Sequence, residues 1–425
     1  MTAHQTDGQV TGQRDSGVLV IDKPQGVTSH DVVAAARHAL HMKRVGHAGT
    51  LDPMATGVLV VGFGHATRLL NYIVGADKTY EATIRLGQAT DTDDAEGTII
   101  PLAEQIALSG TALSGTALSG TALPGTAQSG TALSGTALPG TAMSSDPSTS
   151  DGESAHISGD IPSGAITPEL IRRTITERFT GEIMQVPNAF SAIKINGQRA
   201  YDLAREGKTV QLKARPVTIS EFTVTDIRTA TASAVPAADS VSAADSVSAE
   251  PPVPSDAGET AETVPVIDVD VTVTCSSGTY IRALARDLGI ALGVGGHLTY
   301  LRRTRVGSFS ADSDSVVHAH AESRTFTNRD GETITRNRAV LDLPDGVDVR
   351  SRALTMIQSA ERTMPCAVIS DEQARELRFG RLIAWPTSLP RDLDAAAAHT
   401  ADELIAVITP FRGGRAKPAV VFPAG

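Results

Sequence analysis

The sequence predicts a mixed α/β protein with a central mixed, largely antiparallel sheet and a small β-rich unit near the C-terminal end. Three observations indicate this. Several segments alternate apolar and polar residues with the period of two of a β-strand. Between them lie segments with apolar residues at helical spacing, which begin at capping residues and end at glycine. Towards the end of the chain, four short apolar runs are separated by Gly or Pro.

The elements follow from these patterns in chain order. The apolar run 18–21 opens the first strand, and residues 78–86 alternate between an apolar and a polar face. A helix is predicted within 167–181, because its Thr-Pro-Glu-Leu start places Pro in the first turn and a glycine closes it. A further strand is predicted at 268–275, and a helix ending at its glycine at 281–289.

Two stretches have compositions that cannot form a packed core. In 109–143 a five-residue unit, Ser or Pro followed by Gly-Thr-Ala and usually Leu, recurs seven times. Each unit holds one large apolar residue, and its Gly disfavours a helix. We therefore predict a low-complexity insert at 103–165, and a second, rich in Ala, Ser, Asp and Pro, at 229–265. Both should leave a fold intact, because loop-closure entropy grows slowly with length.

These patterns divide the chain into four parts. Residues 1–16 are polar and aperiodic, which predicts a disordered tail. Residues 17–310 should form the main domain and carry the two inserts. The polar stretch 311–364 is predicted to be an irregular linker, and 365–425 should form the small β-rich domain.

The formal net charge of −11 at first argues against a nucleic-acid partner. However, 101–165 and 229–265 together contain eleven acidic residues and no Lys or Arg, so the rest of the chain is neutral. A neutral body can carry a basic face for phosphates. The residues that could build one are Arg172, Arg173, Arg178, Lys194, Arg199, Arg205, Lys208, Lys213, Arg215, Arg302, Arg303 and Arg305.

The two cysteines, Cys275 and Cys366, lie far apart and lack the spacing of metal ligands. Neither a disulfide framework nor a zinc site is therefore expected. The N-terminal segment lacks the features of a signal peptide, and no stretch has the apolar length of a membrane span. We expect a cytoplasmic protein that does not enter a membrane.

The segment 44–57 combines three glycines, a histidine and an Asp-Pro pair in what is predicted to be one non-periodic loop. Pro53 disfavours helical geometry at Asp52, and the glycines permit a tight path, so the Asp52 carboxylate would be displayed from a rigid loop. Such a display suits a nucleophile. The spacing equally allows Asp52 to cap a helix that begins at Pro53.

This segment resembles the signature of the bacterial tRNA pseudouridine-55 synthases, the TruB family: Gly-His-x-Gly-x-Leu-Asp-Pro-x-Ala-x-Gly. The resemblance covers about 17–310 apart from the inserts, and one departure is the absence of a usual second Pro at 188–190. Further blocks match in the order of the family: 22–29, 77–80, 86–93, 191–194, 277–282 and 300–304.

The resemblance implies that Asp52 is the catalytic residue, which engages either the base or the ribose of a uridine while the glycosidic bond moves from N1 to C5. It implies that Tyr80 stacks on the flipped uracil, close enough to assist proton transfer. Arg282 would pair with Asp52 and orient it. Without the resemblance, Tyr80 would be interpreted as a core aromatic and Arg282 as a surface residue.

Four more residues receive roles by resemblance. His47 would stack in place of the flipped base, and Tyr280 and Leu301 would line the substrate pocket. Lys23 matches a basic residue near the active site, where it would contact a phosphate, unless it lies in a solvated turn.

The resemblance also implies the fold and the partners. It implies a pseudouridine synthase fold for 17–310 and a PUA-like RNA-binding domain at 365–425. The partner would be the T-arm stem-loop of tRNA, bound by a monomer without a guide RNA. An isomerisation needs no metal and no cofactor.

Other functions are less well supported by the sequence. The glycines of 62–67 approximate a dinucleotide-binding loop but lack its βαβ context, and 91–97 departs from the ligand spacing of a calcium loop and is interpreted as an acidic turn. A non-catalytic tRNA-binding protein on the same scaffold is the alternative from another class. A guide-RNA-dependent synthase is a narrower one.

Overall fold

A computed structural model describes residues 12–109, 166–188, 194–195, 198–199, 212–234, 263–327 and 331–424. Within them the chain forms twenty strands: β1 (Gly17–Lys23), β2 (Val45–Ala48), β3 (Thr56–Phe63), β4 (Lys78–Leu86), β5 (Ala89–Thr90), β6 (Ile99–Ile100), β7 (Gly181–Gln185), β8 (Lys194–Ile195), β9 (Gln198–Arg199), β10 (Arg215–Ser233), β11 (Thr263–Cys275), β12 (Gly296–Val306), β13 (Phe309–Ser310), β14 (Val316–Thr327), β15 (Thr333–Leu341), β16 (Cys366–Val368), β17 (Ile383–Ala384), β18 (Ala396–His399), β19 (Leu404–Phe411) and β20 (Arg415–Val421).

The helices of the same ranges are α1 (Ser29–Leu40), α2 (Leu70–Val74), α3 (Leu102–Ser109), α4 (Pro168–Arg178), α5 (Ile281–Leu292), α6 (Met356–Glu361) and α7 (Asp371–Arg378), with 3₁₀ turns at Gln13–Asp15, Gly64–Arg68 and Val349–Arg352. Their boundaries have local causes. Helix α1 begins at a capping box formed by Thr28 and Asp31, and α5 ends where Gly293 adopts a left-handed conformation.

The central sheet has the strand order β15-β14-β1-β3-β12-β4-β11-β10-β7, with β2 added beside β3 and β13 beside β12. Only the β1–β14 and β3–β12 pairs are parallel. The predicted fold class, a mixed and largely antiparallel sheet with helices, is confirmed. Strand β12 lies between β3 and β4, so it brings the loop before β3 close to the start of β4.

Helices cover one face of this sheet. Leu19 of β1 and Leu59 of β3 pack against α1, while Ile84 of β4 packs with α4 and α5. Direct cross-strand partners share a face of the sheet, so these residues form one continuous surface with the side chains on the same side of β12. The candidate functional site lies on this surface, between α1 and α5.

The opposite face packs against the C-terminal unit, whose five strands have the order β16-β18-β19-β20-β17. Val18 and Val60 of the central sheet share a core with Leu404 and Phe422. The side-chain amide of Gln13 donates to the carbonyl oxygens of Leu404 and Pro423, at 2.7 and 2.9 Å. The last residues of the predicted 1–16 tail are therefore ordered against the C-terminal unit, and residues 1–11 lie outside the described residues.

The prediction of an irregular linker at 311–364 is wrong. Strand β14 joins the central sheet beside β1 and continues with β15 as a long antiparallel hairpin, and α6 packs against β1. The outer half of the hairpin is exposed on both faces, so its strands lack the apolar alternation from which sequence analysis recognises a strand.

The insert boundaries also differ from the prediction. Residues 102–109 form α3, whose Gln105 is fully buried, so the first insert begins after Ser109 rather than at 103. Strands β10 and β11 pair as far as Ser233 and Thr263, within the predicted second insert. Outside the described residues lie 110–165 and 235–262, including the five-residue repeat beyond its first serine.

The predicted helix end at Gly289 is wrong as well, because α5 continues to Leu292. A Cβ atom at Gly289 would lie 2.2 Å from the backbone of Gly295 and Gly296. This glycine therefore permits the close approach of β12 to the helix, and Gly293 ends it. None of the described helices is long and apolar enough to cross a membrane.

Candidate active site

Asp52 lies in the short loop 49–55 between β2 and β3. The predicted loop 44–57 was too long, because β2 pairs with β3 from Val45 to Ala48. No helix follows Pro53, so the helix-cap interpretation of Asp52 is wrong. The Asp52 carbonyl instead accepts a hydrogen bond from the Ala55 amide in a tight turn, and its side chain is 37% exposed. The carboxylate is held by the loop and remains accessible.

Arg282 contacts this carboxylate, as the resemblance implied. It is the second residue of α5 and only 5% exposed, and its Nε donates to the Asp52 Oδ2 at 3.0 Å. Its Nη1 donates to the Thr92 carbonyl at 2.9 Å and lies 3.2 Å from the Asp94 carboxylate. Such charge-assisted bonds are roughly twice as strong as neutral ones, so the guanidinium fixes the direction of the Asp52 side chain.

Arg303 holds the backbone of the Asp52 loop from beneath. It is 1% exposed, and its guanidinium donates to the carbonyl oxygens of Val58, Gly49 and Thr50 at 2.8, 3.0 and 3.4 Å. The sequence analysis placed Arg303 among the candidates for a basic face. The structure assigns it to the loop instead.

Lys23 is fully buried, which corrects its predicted phosphate contact and equally excludes a solvated turn. Its ammonium donates to the carbonyl oxygens of Pro24, Val27 and Pro53 at 2.9, 2.7 and 3.2 Å. Burial lowers the Lys23 pKa to about 8, although the Asp52 charge opposes this shift. Lys23 thus joins the end of β1 to the backbone of Pro53, the residue after Asp52.

A cavity of about 280 Å³ opens beside the Asp52 carboxylate. This volume lies just below the range for small-molecule sites, roughly 300–1,000 Å³. Of the predicted residues, Tyr80, Tyr280, Arg282 and Leu301 line it together with Asp52. Its walls thus combine a carboxylate and a guanidinium with aromatic and aliphatic surface.

Tyr80 forms the floor of the cavity from β4 and is 7% exposed. Burial raises the pKa of the Tyr80 phenol, and the Arg303 charge opposes this. The phenol is therefore neutral at physiological pH.

Lys78, two residues earlier, also lines the cavity, but its ammonium donates to the carbonyl oxygens of Val74 and Ala76 at 3.0 and 2.6 Å. Burial lowers the Lys78 pKa to about 8.

His47 lies outside the cavity wall, on β2 rather than in a loop. Its ring contacts the His30 ring edge to face, with centroids 5.7 Å apart. Burial, with the charges of His30 and Arg303, lowers the pKa of His47. A neutral imidazole beside the loop suits stacking on a base, as the resemblance predicts for His47.

A second layer of charges behind Arg282 was missed by the sequence analysis, which interpreted 91–97 only as an acidic turn. Asp94 is 4% exposed and contacts Arg282, while Asp93, at φ +60°, accepts hydrogen bonds from Gln105 and Asn188. Burial raises the Asp93 pKa to about 6. Two adjacent acids in one turn were the available signal, but their burial could not be deduced from spacing.

The proposed basic face is only partly present. Arg302 pairs with Asp22 and Arg305 with Asp77, so these arginines are engaged within the molecule. Exposed basic residues remain at Arg172, Arg173, Arg178, Lys213 and Arg215. Arg205 and Lys208 lie outside the described residues, as do the side chains of Lys194 and Arg199 and the first three residues of the 191–194 block.

Comparison with known proteins identifies the family. The model of the TruB family pseudouridylate synthase N-terminal domain matches residues 37–118 and 141–238. The chain is 50% identical to the tRNA pseudouridine synthase B of Bifidobacterium longum (strain NCC 2705), over 96% of this chain and 98% of that protein. It is 39% identical to the protein of the same name from Arthrobacter sp. (strain FB24), over 96% of each chain. The chain belongs to the TruB family of pseudouridylate synthases.

A second family model of TruB proteins matches further along the chain. A model of the tRNA pseudouridylate synthase B C-terminal domain matches 282–338, which includes α5, β12 and most of the β14–β15 hairpin. As an enzyme of this family, the protein is an isomerase. Among the residues that the structure describes, no group of three His, Cys, Asp or Glu could hold a metal ion.

Solved structures show the same fold. A Cbf5-Nop10-Gar1 complex contains a chain that is 21% identical, with a TM-score of 0.52 over 98% of this TruB chain and 86% of that one. An H/ACA RNP bound to a substrate RNA containing 2'-deoxyuridine contains a chain that is 20% identical, with a TM-score of 0.51 over 97% and 86%. The predicted pseudouridine synthase fold is therefore confirmed.

Proposed function

We propose that this protein converts uridine to pseudouridine at position 55, in the T-loop of tRNA, and that Asp52 performs the reaction. The observation that carries the proposal is the Asp52 carboxylate, oriented by Arg282 at the wall of a cavity lined by Tyr80. The relatives that are similar over nearly the whole chain are named tRNA pseudouridine synthase B.

The target base must leave the stack of the RNA loop before a carboxylate can reach it. RNA loops offer such unstacked bases, which proteins hold by aromatic stacking. The cavity suits this role, because Tyr80 and Tyr280 offer aromatic surface and Leu301 excludes water beneath them. We propose that the uracil enters here with its ribose towards Asp52.

The reaction breaks the bond between ribose C1′ and uracil N1 and forms a bond between C1′ and C5. The proton on C5 is lost, and N1 gains one, so the product is an isomer of the substrate. Asp52 assists as a nucleophile, either at the ribose C1′ or at the base. Both routes need an ionised and fixed carboxylate, which the Arg282 ion pair supplies.

Burial keeps Tyr80 in its neutral form, because the phenolate would be poorly solvated in the cavity. A neutral phenol stacks on the base and can pass a proton to or from it, but it is a weak base. We therefore assign to the Asp52 carboxylate, once released from the substrate, the removal of the C5 proton.

The relatives that match nearly the whole chain are named tRNA pseudouridine synthase B, and we propose that a monomer of this protein acts on the T-arm stem-loop without a guide RNA. The PUA-like unit at 365–425 would bind RNA beyond the loop. Because its substrate is tRNA, the expected compartment is the cytoplasm.

The decisive experiment measures tritium released from a T-arm transcript with a single uridine, at position 55, labelled at C5. The wild-type chain should release tritium with no other RNA present. Asp52→Asn keeps the shape of the side chain but removes its nucleophilicity, so the rate should fall at least about a thousandfold. Affinity for the transcript, measured by filter binding, should change by less than about threefold.

The control is Asp312→Asn, which removes an exposed carboxylate that does not line the cavity and should release tritium at the wild-type rate. Near-normal turnover by Asp52→Asn would refute the catalytic assignment. A wild-type chain that binds the transcript but releases no tritium would favour the alternative, a non-catalytic tRNA-binding protein. Release from a second transcript, labelled only at another uridine of the loop, with none from the first, would refute position 55.

A further inference from the structure

The β14–β15 hairpin projects from the same end of the sheet as the Asp52 loop. Strand β14 runs parallel to β1, and their last pair is His318 with Asp22, next to the buried Lys23. From His318, β14 continues to Thr327, which is a length of about 30 Å at ~3.3 Å per residue. This end of the sheet would face an RNA whose base enters the cavity.

The hairpin is tied to the Asp52 loop by two hydrogen bonds in series. The Asn337 side-chain amide of β15 donates to the Gly26 carbonyl at 3.2 Å, and the Gly26 amide donates to the Pro53 carbonyl at 2.9 Å. Pro53 directly follows the catalytic candidate Asp52. The position of the hairpin is therefore defined relative to the site. Asn337 lies on the opposite face of the hairpin from Arg336, so the face that carries Arg336 is turned away from the Asp52 loop and would meet RNA outside the segment that enters the cavity.

One face of the hairpin carries two arginines directly opposite each other. Arg324 and Arg336 are a cross-strand pair, both exposed, and neither forms an ion pair within the described part of the chain. Like charges in this arrangement are destabilising. The carboxylate nearest along this face, Glu322, is already engaged by Arg338, whose Nε donates to it at 2.9 Å. Glu322 also attracts Arg324, but its single charge is shared with Arg338, so this face keeps a net positive charge that an external anion would neutralise.

Apolar surface lies next to these charges. Phe326 is 46% exposed and pairs across the strands with Ile334, one cross-strand position beyond Arg324 and Arg336 on the same face. An exposed aromatic beside arginines is the combination that binds RNA, because guanidinium groups pair with phosphates and aromatic rings stack on unpaired bases. A surface for a small anion would have no use for the phenyl ring.

We propose that this face of the hairpin, formed by Arg324, Arg336 and Phe326, binds the phosphate backbone of the RNA whose uridine enters the cavity. The inference rests on the proposed function, because it takes the substrate RNA as the partner. It adds a second contact to that substrate, outside the catalytic cavity. An RNA phosphate would neutralise the positive charge that Glu322 leaves on this face, so the hairpin is arranged for binding rather than for stability.

The test compares the full chain with the double variant Arg324→Ala/Arg336→Ala, using the T-arm transcript and full-length tRNA. The dissociation constant should rise about tenfold near physiological salt for at least one of the two RNAs. The slope of log affinity against log salt should become shallower by about one to two, because binding with fewer phosphate contacts releases fewer counterions. The melting temperature should stay the same or rise, because a repulsion is removed.

The matched control is Thr325→Val/Thr335→Val, a cross-strand pair on the opposite face of the same hairpin. It should bind RNA with the wild-type affinity and salt dependence. Equal losses in both double variants would mean that hairpin order, not the arginines, matters, and would overturn the proposal. An unchanged RNA affinity and salt slope in the arginine variant would also overturn the proposal. So would a variant that loses binding to anionic phospholipid vesicles but still binds RNA normally.

Failure of the hairpin proposal is distinguishable from failure of the proposed function. Tritium release by the wild-type chain tests the function and does not involve the arginines. If the wild type is active and the arginine variant binds RNA normally, only the hairpin proposal is wrong.

Discussion

Two adjacent arginines illustrate how single residues reach different environments. Arg302 and Arg303 are neighbours on β12, so they point to opposite faces of the sheet. Arg302 meets Asp22 in a half-exposed ion pair, with two contacts of 2.8 and 2.9 Å. Arg303 faces the site and is buried beneath the Asp52 loop. Their roles differ because of strand alternation, not because of side-chain chemistry.

We predict that Arg303→Met destabilises the protein by about 2–4 kcal/mol, because it leaves buried carbonyl oxygens of the Asp52 loop without a donor, at roughly 1–3 kcal/mol each. Pseudouridine formation should fall with it, because the loop loses its support. Urea unfolding and single-turnover rates measure both effects.

The control for this prediction is Arg305→Met, on the same strand. Arg305 pairs with Asp77 near the surface, so its loss should cost about 1 kcal/mol or less. If Arg303→Met were as stable and as active as this control, the support of the loop by Arg303 would be disproved.

The junction between strands β3 and β12 determines where the Asp52 loop lies. These strands pair in parallel at Gly57 and Arg303, immediately after the Asp52 loop. Gly57 has φ +102°, and a Cβ atom there would lie 2.2 Å from the Arg303 carbonyl oxygen. A side chain at this position would force the strands apart.

We predict that Gly57→Ala lowers the free energy of unfolding by at least about 3 kcal/mol, since it combines an unfavourable φ with a clash against backbone. Gly346→Ala is the matched control: Gly346 has φ +76°, but no atom lies within 4 Å of its added Cβ. The control should lose only about 1 kcal/mol. The denaturant midpoints of the two variants measure this difference. Similar midpoints would show that the close approach of Gly57 to the Arg303 backbone does not determine the effect.

Over the whole molecule, the inserts are separable from the fold only at the boundaries that the structure defines. Gln105 of α3 donates to the Gly296 carbonyl at 2.7 Å and to the Asp93 carboxylate at 3.2 Å. It therefore links the segment before the first insert to β12 and to the charges behind Arg282. A deletion of the insert must start after Ser109.

We predict that replacing 110–165 with a short Gly-Ser bridge leaves stability within about 0.5 kcal/mol and tritium release within about twofold, because a low-complexity segment buries little apolar surface. Replacing 103–165 should instead cost about 2 kcal/mol and reduce the rate, because it removes Gln105 and leaves its partners unpaired. Unfolding curves and single-turnover assays on both chains provide the comparison. Equal behaviour of the two deletions would show that α3 has no part in the site.

The sequence was informative wherever function requires a particular residue in a particular local order. The Asp52 segment, the start of β4 with Tyr80, and Arg282 could be identified from their motifs. Strand β4 and helix α4 could be predicted because each buries one face, which leaves a periodic pattern. The β14–β15 hairpin could not, because it buries too little to leave such a pattern.

The sequence by itself determined the family and the mixed α/β class, and it singled out Asp52 as the candidate catalytic carboxylate. Only the tertiary structure decided which charges are buried: Lys23 and Arg303 beneath the loop, and Asp93 and Asp94 behind Arg282. The physical reason is that the cost of burying a charge depends on the partners that surround it. Those partners come from strands and helices far apart in the chain, so no local pattern encodes them.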